Sequence, residues 1–287
     1  MSGIVQSWFS GRLSTEQAAH IIRWLPGARL CADMSWNLVD TVVLDVVSER
    51  GRCVIKAAGP GNHHIGREIS AHQTVTDCLV RTGHAAALVE HDRSANLLVT
   101  RYLDGSLVMG SEAEFDCVTY RQAGVLLRTF HDQAERVDAG WEAAAVAKSL
   151  AWLKKPNRIS ESVLARVRDI LVSHRPQPVV VVPTHGDWQP RNWLVDQGKV
   201  KVIDFGRFDW RPAMSDFCRL AARQWKGNAA LEHAFLAGYG SEPRDAEKWP
   251  LITLHEAIGT AVWAYQIGDE PFENEGHRMI ANALDLF

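Results

Sequence analysis

Apolar residues fall into two patterns along this chain. Up to about residue 102 they cluster in short branched runs broken by Gly, Asp and Arg. Beyond Asp104-Gly105 they recur mostly at helical spacing. In the first region, Ser14-Thr15-Glu16-Gln17 precedes Ala18, Ile21, Ile22 and Leu25, which predicts a capped amphipathic helix ending at Pro26-Gly27. Val39 to Val47 and Cys53 to Ala57 read as strands of a hairpin about Glu49-Arg50-Gly51-Arg52. Ile65, Ile69, Val75 and Leu79 predict a helix from His64 to Thr82, closed by Gly83. Ala86 to Glu90 and Asn96 to Tyr102 add two strands around the turn at His91-Asp92-Arg93-Ser94.

The remainder predicts helices near 112–134, 141–153, 161–174, 213–225, 228–238 and 250–267. One hairpin interrupts them, pairing Trp193-Leu194-Val195 with Val200 to Ile203 through Asp196-Gln197-Gly198-Lys199. There is no internal repeat, low-complexity segment or long linker. The expected fold class is α+β, with a small β-rich lobe over 1–102, a larger mainly helical lobe over 103–287 and a hinge near 100–104.

Composition narrows the function classes. The chain has 287 residues, 46% hydrophobic and 23% charged, with a net charge of −3 and a pI near 6.5, which argues against a nucleic-acid partner. Its five cysteines (Cys31, Cys53, Cys78, Cys117, Cys218) are scattered and form no Cys-x-x-Cys pair, as expected of reduced thiols. The N-terminal residues show no signal peptide, and the longest aliphatic stretch, Val179 to Val182, is far too short to span a bilayer. The expectation is a cytoplasmic protein, monomeric or dimeric, with no membrane partner.

The candidate chemistry lies between Thr184 and Arg207. Asp187 is followed after four residues by Asn192, and Asp204 stands twelve positions further on in Val202-Ile203-Asp204-Phe205-Gly206. That spacing is the one used in kinase-type phosphoryl transfer. One carboxylate, Asp187, accepts the proton of an attacking hydroxyl. Asn192 and Asp204 are the candidate Mg²⁺ ligands, since a hard ion takes few protein oxygens and completes its shell with phosphate and water. Each residue also has a plainer role open to it, as a turn residue or strand-end cap. His185 is expected to brace the loop, Gly186 to let it turn, and Asp216 to tie it down. Upstream, Lys56 ends a strand and Glu68 lies on the next helix, which suits a phosphate-binding Lys held by a Glu. A solvated strand-end Lys is the alternative. The phosphate-covering loop is expected near Met34-Ser35-Trp36-Asn37; it lacks glycine, leaving Ser35 and Asn37 as donors. Asp269, Glu270, Glu273 and Glu275, near Trp263, Tyr265 and Phe272, are either a solvated face or part of a site for a cationic acceptor.

These residues together resemble the aminoglycoside phosphotransferase and choline kinase-like family, which shares the bilobal protein-kinase fold. His185-Gly186-Asp187, Asn192, Ile203-Asp204-Phe205-Gly206 and Pro212 with Asp216 carry the resemblance, with Lys56 and Glu68 more loosely. It implies ATP or GTP as donor, Mg²⁺, and adenine bound by hinge backbone near Thr100 to Tyr102. It also implies acceptor binding by the helical lobe. The expected reaction is ATP-dependent phosphorylation of a hydroxyl on a small-molecule antibiotic, an aminoglycoside or a basic cyclic peptide of the viomycin and capreomycin type, giving resistance. A metabolic kinase for choline, homoserine or a sugar, and a nucleotide-binding pseudokinase, are the alternatives. The glycine-free loop and the bulky Trp188, Gln189 and Arg191 beside Asp187 depart from the family pattern.

Overall fold

The structure is a computed structural model that describes residues 9, 11–36 and 38–287. The chain divides into two compact units that interleave in sequence. The first comprises the described residues up to Glu114 together with Pro190–Phe208, and the second Phe115–Gln189 with Asp209–Phe287.

The first unit is built on a five-stranded antiparallel sheet in the order β1-β2-β3-β5-β4. Its strands are β1 (Arg29–Asp33), β2 (Val42–Ser48), β3 (Gly51–Ala57), β4 (Leu88–Asp92) and β5 (Leu97–Arg101). Helix α1 (Thr15–Trp24) begins with the anticipated capping box: the Ser14 hydroxyl accepts the Gln17 N–H (3.1 Å), and the Gln17 side chain accepts the Ser14 N–H (3.0 Å). Gln17 is buried and also donates to the carbonyls of Ala58 (3.1 Å) and Ala95 (2.7 Å), tying the helix to the sheet. Ile21 and Leu25 of this helix pack with Leu44, Val46, Ile55, Leu97 and Val99. The β2–β3 hairpin runs in register from Val42↔Ala57 to Ser48↔Gly51.

Strand β1 was not anticipated. It is an edge strand bulged between Leu30 and Ala32, and four of its five residues are exposed, so no apolar alternation marks it. The expected helix over 64–82 is two helices, α2 (His64–Thr74) and α3 (Asp77–Val80). The break falls at Val75-Thr76, within a run of three β-branched residues (Thr74 to Thr76) whose helix propensity is slightly reduced. A three-stranded sheet contains β6 (Ser106–Leu107), β9 (Trp193–Asp196) and β10 (Lys199–Val202). Its β9–β10 turn places Gln197 (φ 48°) and Gly198 (φ 79°) in the left-handed region, as a two-residue hairpin turn needs. The Val202 N–H donates to the His84 carbonyl at 2.7 Å, anchoring the hairpin to the segment after α3.

In the second unit, α4 (Cys117–His131) is capped by Asp116, whose side chain accepts the N–H groups of Val118 and Thr119. The residues predicted to start this helix at 112 form a separate 3₁₀ turn, Glu112–Phe115. Helix α4 crosses α8 (Ala229–Tyr239) at backbone contact: a Cβ on Gly124 would lie 2.2 Å from the Phe235 oxygen, and one on Gly238 would lie 2.0 Å from the Arg121 oxygen. Helices α5 (Trp141–Trp152), α6 (Glu161–Ser173), α9 (Trp249–Ile267) and α10 (Glu270–Leu284) share one core. Helix α10 was read as an acidic run, yet Met279, Ile280, Ala283 and Leu284 are buried against Leu254, Ile258 and Val262.

The segment predicted as one helix over 213–225 is a 3₁₀ turn, Ala213–Phe217, followed by α7 (Cys218–Ala222). Strand β8 (Val179–Thr184) lies between β7 (Arg136–Asp138) and β11 (Asp209–Arg211). Among the described residues, no helix is long and apolar enough to cross a membrane.

Candidate active site

The two units each hold part of the predicted chemistry. In the first, β3 delivers Lys56 and α2 delivers Glu68. The Lys56 Nζ lies 2.8 and 2.9 Å from the two Glu68 oxygens and 3.4 Å from Asp204 Oδ1. Burial works against the Lys56 charge, but the carboxylates of Asp204 and Glu68 outweigh it and raise the ammonium above its ordinary range. Lys56 is therefore held as a cation, with Glu68 deeply buried and Asp204 about half exposed (47%).

Asp204 has a left-handed backbone, φ 66°, which is strained for a residue other than Gly, Asn or Asp. Its neighbours hold it there. Phe205 is buried, with its ring 5.6 Å edge-on from His72. Gly206 leaves little space for a side chain, since a Cβ would meet Asp204 Oδ1 at 3.2 Å and His64 Cβ at 3.3 Å. The His64 Nδ1 lies 3.0 Å from the Gly206 carbonyl. Burial, reinforced by Lys56, pushes His72 down to about 4, so its ring packs as a neutral group. Asn192 ends the 3₁₀ turn Pro190–Asn192, is buried, and accepts the Ile203 N–H on its backbone oxygen at 3.0 Å. The Asn192 and Asp204 candidates are thus carried by one hairpin.

The predicted phosphate-covering loop is the β1–β2 connection. Ser35 in it is already engaged: its hydroxyl accepts the Val43 N–H at 2.9 Å and its own N–H donates to Asp33. Asn37 lies outside the described residues. Thr100 sits within β5, opposite Val54 and Leu88. The Tyr102 N–H donates to the Arg52 carbonyl at 3.1 Å, and the Arg52 guanidinium lies 3.6 Å from the Tyr102 ring centroid. Sequence reasoning missed Lys201, which reaches from β10 to the Asp104 carbonyl (2.9 Å) and to Asp196 (2.8 Å), fixing the segment just past Tyr102.

In the second unit, Asp187 is 2% exposed, in the loop three residues past the end of β8. The loop carrying it is held by Asp216, whose carboxylate accepts the N–H groups of His185 (2.8 Å) and Gly186 (2.6 Å). His131 Nε2 lies 3.0 Å from the same carboxylate, and His131 Nδ1 is 2.9 Å from the Tyr239 hydroxyl. Burial opposes ionisation of Asp216, but the His131 hydrogen bond and nearby positive groups prevail, holding its carboxyl below the usual range. His185 is fully buried with its ring 5.4 Å edge-on from Trp188, so the bulky Trp188 is a loop support. The Gln189 side chain donates to Asp187 Oδ1 at 2.5 Å.

Arg219, Glu256 and Arg223, none of them anticipated from the sequence, complete this unit's polar network. Arg219 Nε lies 2.9 Å from Asp187 Oδ1, and its Nη2 lies 2.6 Å from Glu256 Oε1. The available signal was helical spacing, since Arg219 is three residues after Asp216.

The four acidic candidates near the C-terminus do not form a cluster of open carboxylates. Asp269 caps α10 by accepting the Phe272 N–H at 3.0 Å. Glu273 is buried and takes a bidentate pair from Arg158 at 2.9 and 2.5 Å. Glu275 is paired with Arg223. Glu270 is exposed.

Comparison with known proteins bears on both units. Residues 47–250 match the model of the phosphotransferase enzyme family. Among solved structures, the choline kinase LicA from Streptococcus pneumoniae is 16% identical with a TM-score of 0.67, covering 94% of this chain and 97% of that one. A thermostable mutant of an aminoglycoside phosphotransferase, in ternary complex with ADP and hygromycin B, is 10% identical with a TM-score of 0.66, covering 95% and 99%. The macrolide 2′-phosphotransferase MphH from Brachybacterium faecium is 16% identical with a TM-score of 0.56, covering 89% and 93%. These likenesses show a protein-kinase-like α+β fold. In a comparison with proteins of curated function, none matches the chain by sequence.

Proposed function

The chain belongs to the phosphotransferase enzyme family, and on that premise we propose that it transfers the γ-phosphoryl group of ATP or GTP to a hydroxyl of a small molecule. The observation that carries this reading is the Lys56–Glu68 pair with Asp204 within reach of the same ammonium. In the proposed reaction the acceptor oxygen bonds to the γ-phosphorus as the bond to the β-phosphate's bridging oxygen breaks. The nucleoside diphosphate leaves with that electron pair, and the acceptor proton passes to Asp187. Lys56 holds the donor's phosphates, and Glu68 keeps Lys56 aimed.

Mg²⁺ suits the residues present. Asp204 offers a half-exposed carboxylate, and the same hairpin carries Asn192. A hard ion takes few protein oxygens and completes its shell with phosphate and water. Such an ion, held by Asp204 and Asn192, would neutralise charge on the transferring phosphates.

For the acceptor, the first proposal is a cationic antibiotic, an aminoglycoside or a basic cyclic peptide of the viomycin type. Phosphorylation would add roughly −1.5 to −2 charge and confer resistance by opposing binding to RNA. Likeness to choline kinases as well as antibiotic phosphotransferases supports a metabolic alcohol such as choline as the second reading. The test is nucleotide turnover with the purified protein against aminoglycosides, viomycin-type peptides, choline, homoserine and sugars. Turnover stimulated by an antibiotic supports the first reading, and turnover stimulated only by choline, homoserine or a sugar supports the second. No stimulation by any hydroxyl compound, with no nucleotide binding, would overturn both.

A further inference from the structure

Asp187 is gripped at one oxygen by two polar chains, each built within the helical unit. One is short: Arg219 lies 2.9 Å from Asp187 Oδ1 and 2.6 Å from Glu256. The other runs from Glu275 to Arg223, from Arg223 Nη1 to Gln189 Oε1 (3.2 Å), and from Gln189 Nε2 to the same Oδ1 (2.5 Å). We propose that Arg219 is a positioning residue for Asp187, a role that rests on reading Asp187 as the group that takes the acceptor's proton.

The first support is burial. Arg219 is 5% exposed, and a buried guanidinium is costly unless carboxylates compensate it. Burial opposes its charge, but Glu256 and then Asp187 outweigh burial and raise it above its ordinary range. Glu256, on α9, is one of the carboxylates that compensate it. The second carboxylate that Arg219 meets is the reactive one.

The second support is where Arg219 stands. Asp216, three residues earlier, holds the backbone of His185 and Gly186. One short stretch of chain therefore fixes both the main chain of the loop and the side chain it presents. Arg219 Nε approaches Oδ1 closely but finds no aligned acceptor for its N–H. The contact is an ionic clamp, with direction supplied by Gln189. Restricting Asp187 in this way removes orientational freedom before the acceptor arrives, and a displacement of about 1 Å in such a group costs about 10²-fold in rate.

The experiment measures phosphate release from MgATP, with water as acceptor and with whichever compound the panel identifies, for the full chain and its variants. Arg219→Gln should lower kcat about 10²-fold while leaving the KM for MgATP within about threefold of wild type. Arg219→Lys, which keeps the charge and loses the planar fork, should recover part of that loss. In an Asp187→Asn background, Arg219→Gln should cause no further loss, because the two act as one unit. Should Arg219→Gln fail to melt cooperatively, Glu256→Gln replaces it: freeing one side of Arg219 should lower kcat, and again only when Asp187 is intact. An unchanged kcat in the folded Arg219 variant, or equal losses with and without Asp187, overturns the proposal. A wild-type rate for Asp187→Asn itself would instead overturn the reading of Asp187, whatever Arg219 does.

Discussion

The Lys56 ammonium is cradled by both oxygens of Glu68, at 2.8 and 2.9 Å. The two residues come from neighbouring elements, β3 and α2, and neither is exposed enough to be held by water. A buried pair of this kind is only weak evidence of stabilisation, because desolvating two charges offsets much of their attraction. Its geometry suits a cation that must be kept in place for an anionic ligand.

Lys56→Ala should lower kcat/KM for nucleotide turnover by about 10²–10³-fold, the usual worth of a fixed charge at a developing anion. Glu68→Gln should cost less, since it leaves the ammonium present but poorly aimed. The double variant should be little worse than Lys56→Ala alone. Losses that add on a logarithmic scale would mean that the pair does not act together.

Asp187→Asn should reduce turnover by about 10²–10⁴-fold while nucleotide affinity stays near wild type. Calorimetric titration with MgATP checks the second half of that statement. More than about a tenth of the wild-type rate, in a step shown to be limited by chemistry, would remove Asp187 from its assigned role.

Asp204→Ala should abolish the Mg²⁺ dependence of ATP binding, because the ion would lose its exposed carboxylate. Titrations with and without Mg²⁺ read this directly. Since Lys56 also loses a partner at 3.4 Å, some weakening of metal-free binding is expected as well. A variant whose ATP affinity still rises with Mg²⁺ as much as wild type would place the ion elsewhere.

Much of this was readable in the sequence because short-range rules govern it. Ser14 and Gln17 form a capping box from four adjacent residues, and the turn at Gln197-Gly198 requires left-handed backbone that its residues supply. Asp216 was legible as a tie for the loop by its position at a helix start. Long-range pairing was less visible. Strand β8 holds Pro183, which lacks an N–H and argues against a central strand. It is tolerated because β7 runs beside Val179–Val181 only. Arg219 meets Asp187 and is itself met by Glu256 from a distant helix; spacing from Asp216 could point to Arg219, but nothing local marks Glu256. Helix α10 was hidden because its first turns carry the charges and its apolar face comes later.

His255 predicts how stability responds to acid. Its Nδ1 lies 2.7 Å from the Ser149 hydroxyl, and its Nε2 is buried with no partner. Burial, followed by the nearby His174 and Lys148, pushes it down to about 4. The folded protein thus keeps this ring neutral, while the unfolded chain would protonate it near 6.5. Between those values the unfolded state binds more protons, so stability falls as pH drops from about 6.5 towards 4. Melting temperatures at pH 7, 6 and 5 should decline in wild type, and decline less steeply in His255→Leu. Parallel slopes would mean that other groups dominate the acid response.

The acceptor prediction turns on the unequal states of Glu270 and Glu273. Both precede the apolar face of α10, but Glu273 is buried in a bidentate pair with Arg158, and that hydrogen bonding holds its carboxyl below the usual range. To serve a cationic ligand, Glu273 would have to give up Arg158. Glu270 is exposed and lies near the Arg158 charge without the bidentate pair of Glu273, so it can meet a ligand at less cost. Glu273→Gln should therefore act on folding, lowering the melting temperature modestly, since the partner guanidinium is solvent-screened. It should leave the acceptor KM little changed. Glu270→Gln should leave the melting temperature unchanged, since isolated surface changes rarely matter. If the acceptor is cationic, the same change should raise its KM without altering that for MgATP, and the acceptor's KM should rise with salt as screening increases. An acceptor KM indifferent to both Glu270 and salt would favour a neutral metabolic alcohol over a cationic antibiotic.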